Sequence, residues 1–551
     1  MTSHQNKVNK GSARNDRLRY DRIFLIALIL IVVIGSAMRL SVITIRPFHH
    51  DEAVLNWYFS EIEIMHGIPY QYDTNYHGPL MFYVTAGLFK LFGISVFNAR
   101  IVQTIMSCAL VFLVYVFARM YSKDKKSVLI ASSYTAISPI LIYYGSFAFV
   151  DSYFLFFWVL SLIFFMRFFF SENKRKKRTS LWLFTLFTSL LFCIKEMIFI
   201  FLPIEILMFF VMYYKKYEPQ KKSVVNKIKT GFMLFFSAFK KNWLFISGNI
   251  GLFLSVIFVF YSNFFRTLKW NPFYFFYFAL KNSSNLSETT QGKPFLYYTT
   301  HILFFAEPLI FVVFCAVAAY IISDFIMRFK EYKLSDTARL MVVILSIISY
   351  FVFSSITYKT NWNVLYLYLP MVFVLPLFFD MCFKGISMLK KYKKNILADA
   401  ATAAFAIFVA FMFVVSGNMY YYTSIADPAN SSTNHLAYVQ TSMDIYSMMD
   451  AVNASYSSLG SNGSIFYISY EGWPGYWFFR NYKNTYFYNS TKSYINSNSN
   501  RFYNNSIYII SVDNVSSFEQ NVHNFSSWSS KTYNIRDNEA NRVILFTKKK
   551  D

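Results

Sequence analysis

The sequence predicts a polytopic α-helical membrane protein of about eleven spans, followed by a small α/β domain outside the membrane. Three observations carry this expectation. Hydrophobic residues make up 55% of the 551 and charged residues only 15%, where soluble domains carry about 25% charged residues. The basic residues fall in short clusters between long apolar runs, at 7–22, 123–126, 174–178, 215–241, 328–333 and 384–394. After the last run the composition changes abruptly to Ser, Asn and Tyr.

The spans expected are 23–45, 97–120, 127–145, 150–170, 180–195, 197–214, 242–262, 299–326, 338–356, 363–383 and 397–418. Each approaches the length needed to cross a bilayer. Pairs of spans lie between successive basic clusters, so the positive-inside rule places residues 1–22 in the cytoplasm. An odd number of spans then leaves the tail, 419–551, outside. The first run continues through Ile45 and is read as an uncleaved helix, although Gly35-Ser36-Ala37 is small enough to be cut. Asn-X-Ser/Thr sequons begin at Asn282, Asn285, Asn430, Asn453, Asn462, Asn489, Asn504, Asn514 and Asn524. All lie in segments that the charge rule puts outside.

The membrane domain, 23–418, carries a long first outer loop, 46–97. Residues 53–65 have the spacing of an amphipathic helix, and 80–92 is apolar but too short to cross. Both are read as helices lying in the interface, interrupted by Pro69 and Gly78-Pro79. In the tail, 434–452 looks helical, and 464–469, 506–512 and 542–547 look like buried strands. That is enough chain for one small mixed domain.

The net charge of +24 does not point to nucleic acid. It is divided among short clusters, where backbone-phosphate binding needs a continuous basic face. Cys108, Cys193, Cys315 and Cys382 lie in or beside apolar runs, so no disulfide staples the tail and no metal-type cysteine spacing is present.

The chemistry concentrates at residues 46–52, R-P-F-H-H-D-E, directly after the first span. Ionisable residues at the mouth of a membrane helix are costly to place without a role. Asp51 and Glu52, adjacent on a helix, point about 100° apart, so one can face a site while the other caps or pairs. The alternative is an ordinary acidic helix start that suits the dipole. His49, His50 and Trp57 nearby favour a site. A divalent metal near Asp51 is conceivable with His49, His50 and His77, but the spacing is no known metal motif.

Further along, Asp151 begins a span and is either a functional carboxylate or a helix N-cap. Cations on the outer side are few: Lys359 in Tyr358-Lys-Thr-Asn-Trp362, Lys195 beside Glu196, and Arg266, Lys269 and Lys293 in a long loop. Each either meets a phosphate or snorkels to the interface. Glu307 in an apolar span must face the protein interior, as a site wall or a lysine partner. Trp473 to Arg480 reads as a sugar-contacting surface or as tail core.

These residues resemble an archaeal membrane family, the flippase-activity-associated proteins, which is related to the protein O-mannosyltransferases of glycosyltransferase family 39. The likeness runs in order through Arg46-Pro-Phe-His-His-Asp-Glu-Ala53, Tyr76-His-Gly-Pro79, Ser138-Pro139, Tyr143-Tyr144, Asp151 and Lys195-Glu196. It continues through Lys293-Pro294, Glu307-Pro308, Tyr358 to Trp362, Tyr438-Val-Gln-Thr441 and Trp473-Pro474 to Tyr482. The chain departs from it at Asn361, where proline is usual, and at 145–150, where arginines are common.

The resemblance implies a GT-C-like fold and transfer of a sugar from a polyprenyl-phosphate donor to a glycan or protein acceptor on the outer face, with inversion. Asp51 would be the base, supported by Glu52 and Asp151. Lys359, with Lys195, Arg266 and Lys293, would bind the donor phosphate. His49, His50, His77, Trp57, Glu307, Trp362, Trp473 and Arg480 would contact substrate. The alternative is a factor that assists translocation of lipid-linked saccharides. That role needs a continuous polar path through the spans, and here the ionisable residues gather at their ends. An oligosaccharyltransferase also has a GT-C membrane domain and an outer tail, but the Trp-Trp-Asp-Tyr-Gly signature of that family's soluble domain is not matched by the nearest string, Glu471-Gly-Trp-Pro-Gly-Tyr-Trp477.

Overall fold

The computed structural model describes residues 2–73, 75–217, 240–267, 292–460, 463–470, 472–498, 502–503, 505–522, 525–536 and 542–548, with 2–20 described by backbone alone. The sequons at Asn282, Asn285, Asn462, Asn504 and Asn524, Lys269, and most of the 215–241 basic cluster lie outside the described residues. The chain forms two compact units. The first comprises Met1–Ser41, Pro69–Val84 and Arg100–Tyr421, and the second Val42–Ile68, Thr85–Ala99 and Tyr422–Asp551.

The first unit is a helical bundle and its apolar helices make the protein a multi-pass membrane protein. In chain order the helices up to Tyr421 are α1 (Thr2–Ser41), α2 (His50–Glu52), α3 (Leu80–Phe92), α4 (Val96–Tyr121), α5 (Lys125–Ile137), α6 (Pro139–Gly145), α7 (Val150–Phe170), α8 (Lys174–Phe192), α9 (Ile198–Lys216), α10 (Trp243–Tyr261), α11 (Pro308–Met327), α12 (Leu334–Ser355), α13 (Leu365–Lys391) and α14 (Asn395–Tyr421); α2 and parts of α3 and α4 belong to the second unit. Among the described residues nine helices are long and apolar enough to cross a membrane, and α5 with α6 forms a bent tenth. The expected span 180–195 falls on α8, which opens with Lys174-Arg-Lys-Lys-Arg178 and so lacks a full apolar length.

The α5–α6 bend of 50° has a physical cause. Pro139 has no N–H to continue the ladder, and Ser138 caps the new helix by accepting from the Leu141 N–H. The carbonyls this frees are taken by Arg39, wholly buried, which donates to Thr135 O at 3.0 Å and Ala136 O at 2.7 Å, and also to Gly35 O and Ser107 Oγ. Such a charge is tolerated inside the bundle because backbone oxygens surround it. Gly35 lets α1 approach closely: a Cβ there would sit 2.8 Å from the Ala136 methyl.

The second unit contains a five-stranded sheet of order β2-β1-β3-β5-β4. The strands are β1 (Ser464–Ile468), β2 (Thr485–Tyr488), β3 (Ser506–Ser511), β4 (Trp528–Asn534) and β5 (Arg542–Lys548). β1 pairs in parallel with β2 and β3, and β5 runs antiparallel to β3 and β4. Side chains alternate between faces. Ile465, Tyr467, Ile507 and Ile509 pack on one side with Ile445, Met448 and Val452 of the helix Asp444–Leu459. Phe466, Ile468, Tyr508 and Ile510 pack on the other with Tyr494 and Phe518. The helix expected over 434–452 therefore begins ten residues late. Asn434 instead ties a loop, donating to Thr423 O and Asp427 O at 2.9 Å.

Candidate active site

In the second unit the acidic motif is a built turn. His49 caps α2: its Nδ1 accepts the Asp51 backbone N–H at 3.0 Å, and Glu52 Oε2 accepts the His49 N–H at 3.0 Å, a reciprocal capping box. With Nδ1 accepting, the His49 proton sits on Nε2, which donates to Tyr438 O at 3.1 Å. Burial pushes His49 below the ordinary histidine value, against the charges of Asp51 and Glu52. The turn is clamped from the tail as well. Gln440 Nε2 donates to Pro47 O at 3.2 Å and Thr441 Oγ1 to Phe48 O at 2.9 Å. Arg536 reaches His50 Nδ1 at 2.5 Å.

The two carboxylates thus divide their labour. Glu52 is wholly buried and structural. The Asp51 side chain is 43% exposed, with His49 Nδ1 at 3.9 Å and His50 Nε2 at 4.0 Å. Among the described residues none donates a hydrogen bond to its carboxylate. From Ala53 the helix runs on in wider π-type turns to Glu63, an arrangement often found at functional sites. These turns carry Asn56, which bonds Glu52 O and Thr85, and the half-buried Trp57.

The first unit holds a second polar cluster. Asp151 is not an N-cap: Phe149 occupies that position. Its Oδ1 accepts from Lys195 Nζ at 2.7 Å and from the Tyr366 hydroxyl at 2.5 Å. Lys195 also reaches Asn363 Oδ1 at 3.5 Å and lies over the Tyr366 ring. Both members of the ion pair are almost fully buried. The next residue, Glu196, bonds His77 Nδ1 at 2.7 Å and the Tyr72 hydroxyl at 2.6 Å. Burial pushes Glu196 up, but the His77 charge and both hydrogen bonds outweigh it and hold the carboxylate below its usual range. The loop bearing His77 docks by backbone bonds, Gly78 N–H to Ile194 O and Leu80 N–H to Cys193 O. Only glycine fits at 78, where a Cβ would lie 2.3 Å from Cys193 O.

The expected phosphate cations are placed differently from one another. Lys359 is buried. Its Nζ donates to Lys293 O at 3.2 Å and to Ile356 O, and burial lowers its pKa. It staples a loop, alongside the Lys293 N–H to Thr357 O bond. Lys293 itself is half-buried, its ammonium 5.6 Å from the Tyr297 ring, and Tyr297 donates to Asn361 at 2.7 Å. Arg266 is exposed, after a turn in which Asn263, Phe264 and Phe265 all have positive φ. Glu307 has no lysine partner among the described residues. The hydroxyls of Tyr134, Ser138 and Tyr368 face its buried carboxylate without closing a hydrogen bond of ordinary length. Trp362 packs edge-on against Phe149.

Sequence reasoning missed Tyr366, Asn363, Tyr72 and Arg536. Tyr366 lies inside the apolar run Leu365-Tyr-Leu-Tyr-Leu369, where nothing marks one tyrosine as bonded to Asp151. The donors of the acidic turn are not a set suited to the divalent metal that the sequence left open near Asp51. Both His49 nitrogens are committed, His50 Nδ1 meets a guanidinium, and no cluster of three or more His, Cys, Asp or Glu side chains suited to a metal occurs among the described residues.

Known structures place this architecture. The chain aligns with ArnT from Cupriavidus metallidurans bound to undecaprenyl phosphate at 11% identity and a TM-score of 0.55, over 96% of this chain and 98% of that one. An Archaeoglobus fulgidus oligosaccharyltransferase in the apo form aligns at 14% identity and a TM-score of 0.54, over 89% and 70%. The chain has the GT-C fold of membrane glycosyltransferases. AglB from the same archaeon, in complex with an inhibitory peptide and a dolichol-phosphate, aligns at 14% and 0.53, over 83% and 63%. The family model for dolichyl-phosphate-mannose-protein mannosyltransferases matches residues 72–267, a stretch that holds Tyr72, His77, Asp151, Lys195, Glu196 and Arg266. No curated protein matches the chain.

Proposed function

We propose that this GT-C protein transfers a sugar from a polyprenyl-phosphate donor to an acceptor hydroxyl or amide, with Asp51 as the base. The observation that carries this is the Asp51 carboxylate: half-exposed, fixed on a capped turn, and without a hydrogen-bond donor among the described residues. Its oxygens are available to take a proton as the acceptor attacks the anomeric carbon. The C–O bond to phosphate breaks as the new bond forms on the opposite face, so configuration inverts and the electron pair leaves on the phosphate. Cations stabilise that growing charge. Lys293 and Arg266 are the candidates, because the donors of Lys359 and Lys195 are directed at protein acceptors. The fold's relatives support the donor class, since ArnT is bound to undecaprenyl phosphate and AglB to a dolichol-phosphate.

The same reading puts the 46–97 loop and residues 419–551 outside the cell, on the strength of the basic clusters and the sequons. The deciding experiment uses purified protein in proteoliposomes with a polyprenyl-phosphate donor carrying a radiolabelled sugar. Transfer of label to an acceptor is expected. Movement of labelled lipid across the bilayer without any transfer would defeat the proposal.

A further inference from the structure

Beside Asp51 in the second unit lies a group of aromatic rings that no catalytic step uses. Trp473 stands at its centre. Its ring centroid is 6.1 Å from the His50 ring, 5.8 Å from Trp57 and 5.0 Å from Tyr476. All three neighbours, and Trp473 itself, are half-buried, so each keeps part of its ring open. His50 Nε2 is also 4.0 Å from Asp51, so one imidazole neighbours both the aromatic group and the open carboxylate.

The group is rigidly supported. Tyr476 rests on the backbone of Gly472, where a Cβ would fall 2.3 Å from its ring, and packs at a tilt on Phe487 with centroids 4.1 Å apart. Next to it Arg480 lies 3.6 Å over the Trp477 ring and donates to Trp477 O at 2.7 Å. Phe48 also packs on Trp477, with centroids 4.3 Å apart. Trp57 and Glu61 face one another one π-type turn apart, and Glu61 is attracted to Arg480. Rings held this firmly lose little freedom when a ligand lies on them.

We infer that this aromatic group is the acceptor subsite and that the acceptor is itself a sugar. A pyranose ring has a face of C–H bonds and a rim of hydroxyls. The C–H face packs on the negative face of an indole or phenol, while the rim needs charged and polar partners at the edge. Trp473 and Tyr476 supply the first, and Asp51, His50 and Arg536 the second. His50 is a neighbour of both Trp473 and Asp51, and in this reading Asp51 takes the proton of a hydroxyl on the rim of a sugar stacked at Trp473. A simple membrane anchor would not place an exposed carboxylate among its rings, because inserting that charge is costly. The inference rests on the transferase reading only for the word acceptor; binding of the sugar does not depend on turnover.

The test measures binding of neutral methyl hexosides and a hexose disaccharide to the full-length protein by saturation-transfer NMR. Acceptor kinetics are measured on the same variants. Saturation transfer to the ring C–H protons is expected with wild type. Trp473→Leu should abolish it and raise the acceptor KM at least tenfold with a smaller change in kcat. Trp473→Phe should restore much of both, and Tyr486→Leu, an exposed ring elsewhere on the sheet, should change neither. Hexosides bound through Trp473 by a protein that transfers no sugar would sink the transferase reading and leave the subsite standing. No saturation transfer to wild type, an unchanged signal in Trp473→Leu, serine- or asparagine-containing peptides displacing nothing yet serving as the sole acceptors, or a Trp473→Leu defect confined to liposome binding would overturn the inference.

Discussion

The backbone N–H of Asp51 donates to Nδ1 of His49 at 3.0 Å, so the imidazole fixes the residue whose carboxylate stays open. That bond sets the His49 tautomer, and the Nε2–H it leaves is spent on Tyr438 O. Glu52 closes the same turn from the opposite side. The H-H-D-E string is therefore one carboxylate mounted on three supporting residues.

Asp51→Asn keeps the shape of the turn and removes the proton acceptor. Transfer should fall roughly 10²–10⁴-fold, with an unchanged melting temperature in detergent. His49→Asn keeps a capping oxygen for the Asp51 N–H and should retain most activity. His49→Ala loses the cap and should cost about 1 kcal/mol of stability and part of kcat. Near-normal transfer by Asp51→Asn would remove Asp51 from the mechanism.

His49 also predicts a pH dependence. Burial opposes its protonation in the folded state, so the unfolded chain takes up the proton first. Stability is complete above the ordinary histidine value of 6.5 and falls as pH drops below it, by up to about 1.4 kcal/mol per unit for one group. The loss ends once the folded-state His49 itself protonates. The groups facing His49 are Asp51, Glu52 and His50, with Arg536 on His50. Glu196, held low, gives a separate contribution that persists until pH falls below its ordinary 4.5. Melting temperatures from pH 7.5 to 5 should drop for wild type and be flatter for His49→Asn.

The Asp151–Lys195 pair makes a different prediction. Lys195→Met leaves a buried carboxylate with only Tyr366 for company, which should cost about 3–5 kcal/mol. Asp151→Leu combined with Lys195→Met removes both charges and should recover much of that loss, because the desolvation penalty disappears with them. Thermal unfolding of the two single variants and the double variant gives the coupling. Additive losses would mean that the pair is not a unit.

Orientation is tested by labelling. A cysteine at Ser457, exposed on the helix of the second unit, should react in intact cells with an impermeant thiol reagent in a background lacking the four native cysteines. One at Ser171, after α7, should not. The opposite pattern would invert the proposed topology.

The fold class was legible because hydropathy and charge act locally. An apolar run fills a bilayer wherever its neighbours lie, and β1, β3 and β5 are apolar enough to read as strands alone. β2 and β4 were not legible: β4 is Trp-Ser-Ser-Lys-Thr-Tyr-Asn, buried only at Trp528 and Tyr533, so its pattern is that of an exposed edge. The 434–443 stretch looked helical because its long-range bonds to Pro47 and Phe48 leave no local trace. In the site, the cap of His49 and Glu52 is a local matter and the acidic turn could be seen from its spacing. The clamp from Arg536 and the Asp151–Tyr366 bond join positions hundreds of residues apart, and no periodicity encodes them.

The last prediction separates two lysines that sequence reasoning grouped together. Lys359 directs its ammonium at the carbonyls of Lys293 and Ile356, so its charge holds the segment that carries Lys293. Lys293 keeps its own ammonium over Tyr297, with no hydrogen bond to an acceptor among the described residues. Lys359→Met should lower the melting temperature, and Lys359→Arg should not rescue it, since a planar fork cannot repeat the contacts of a compact ammonium. Lys293→Met should leave the melting temperature nearly unchanged and reduce donor-dependent transfer on the order of 10²–10³-fold if it faces the leaving phosphate. Measuring donor kinetics and melting on all three variants in the same liposomes distinguishes the roles. A strong donor defect in Lys359→Met at unchanged stability, with Lys293→Met near wild type, would return the phosphate site to Lys359.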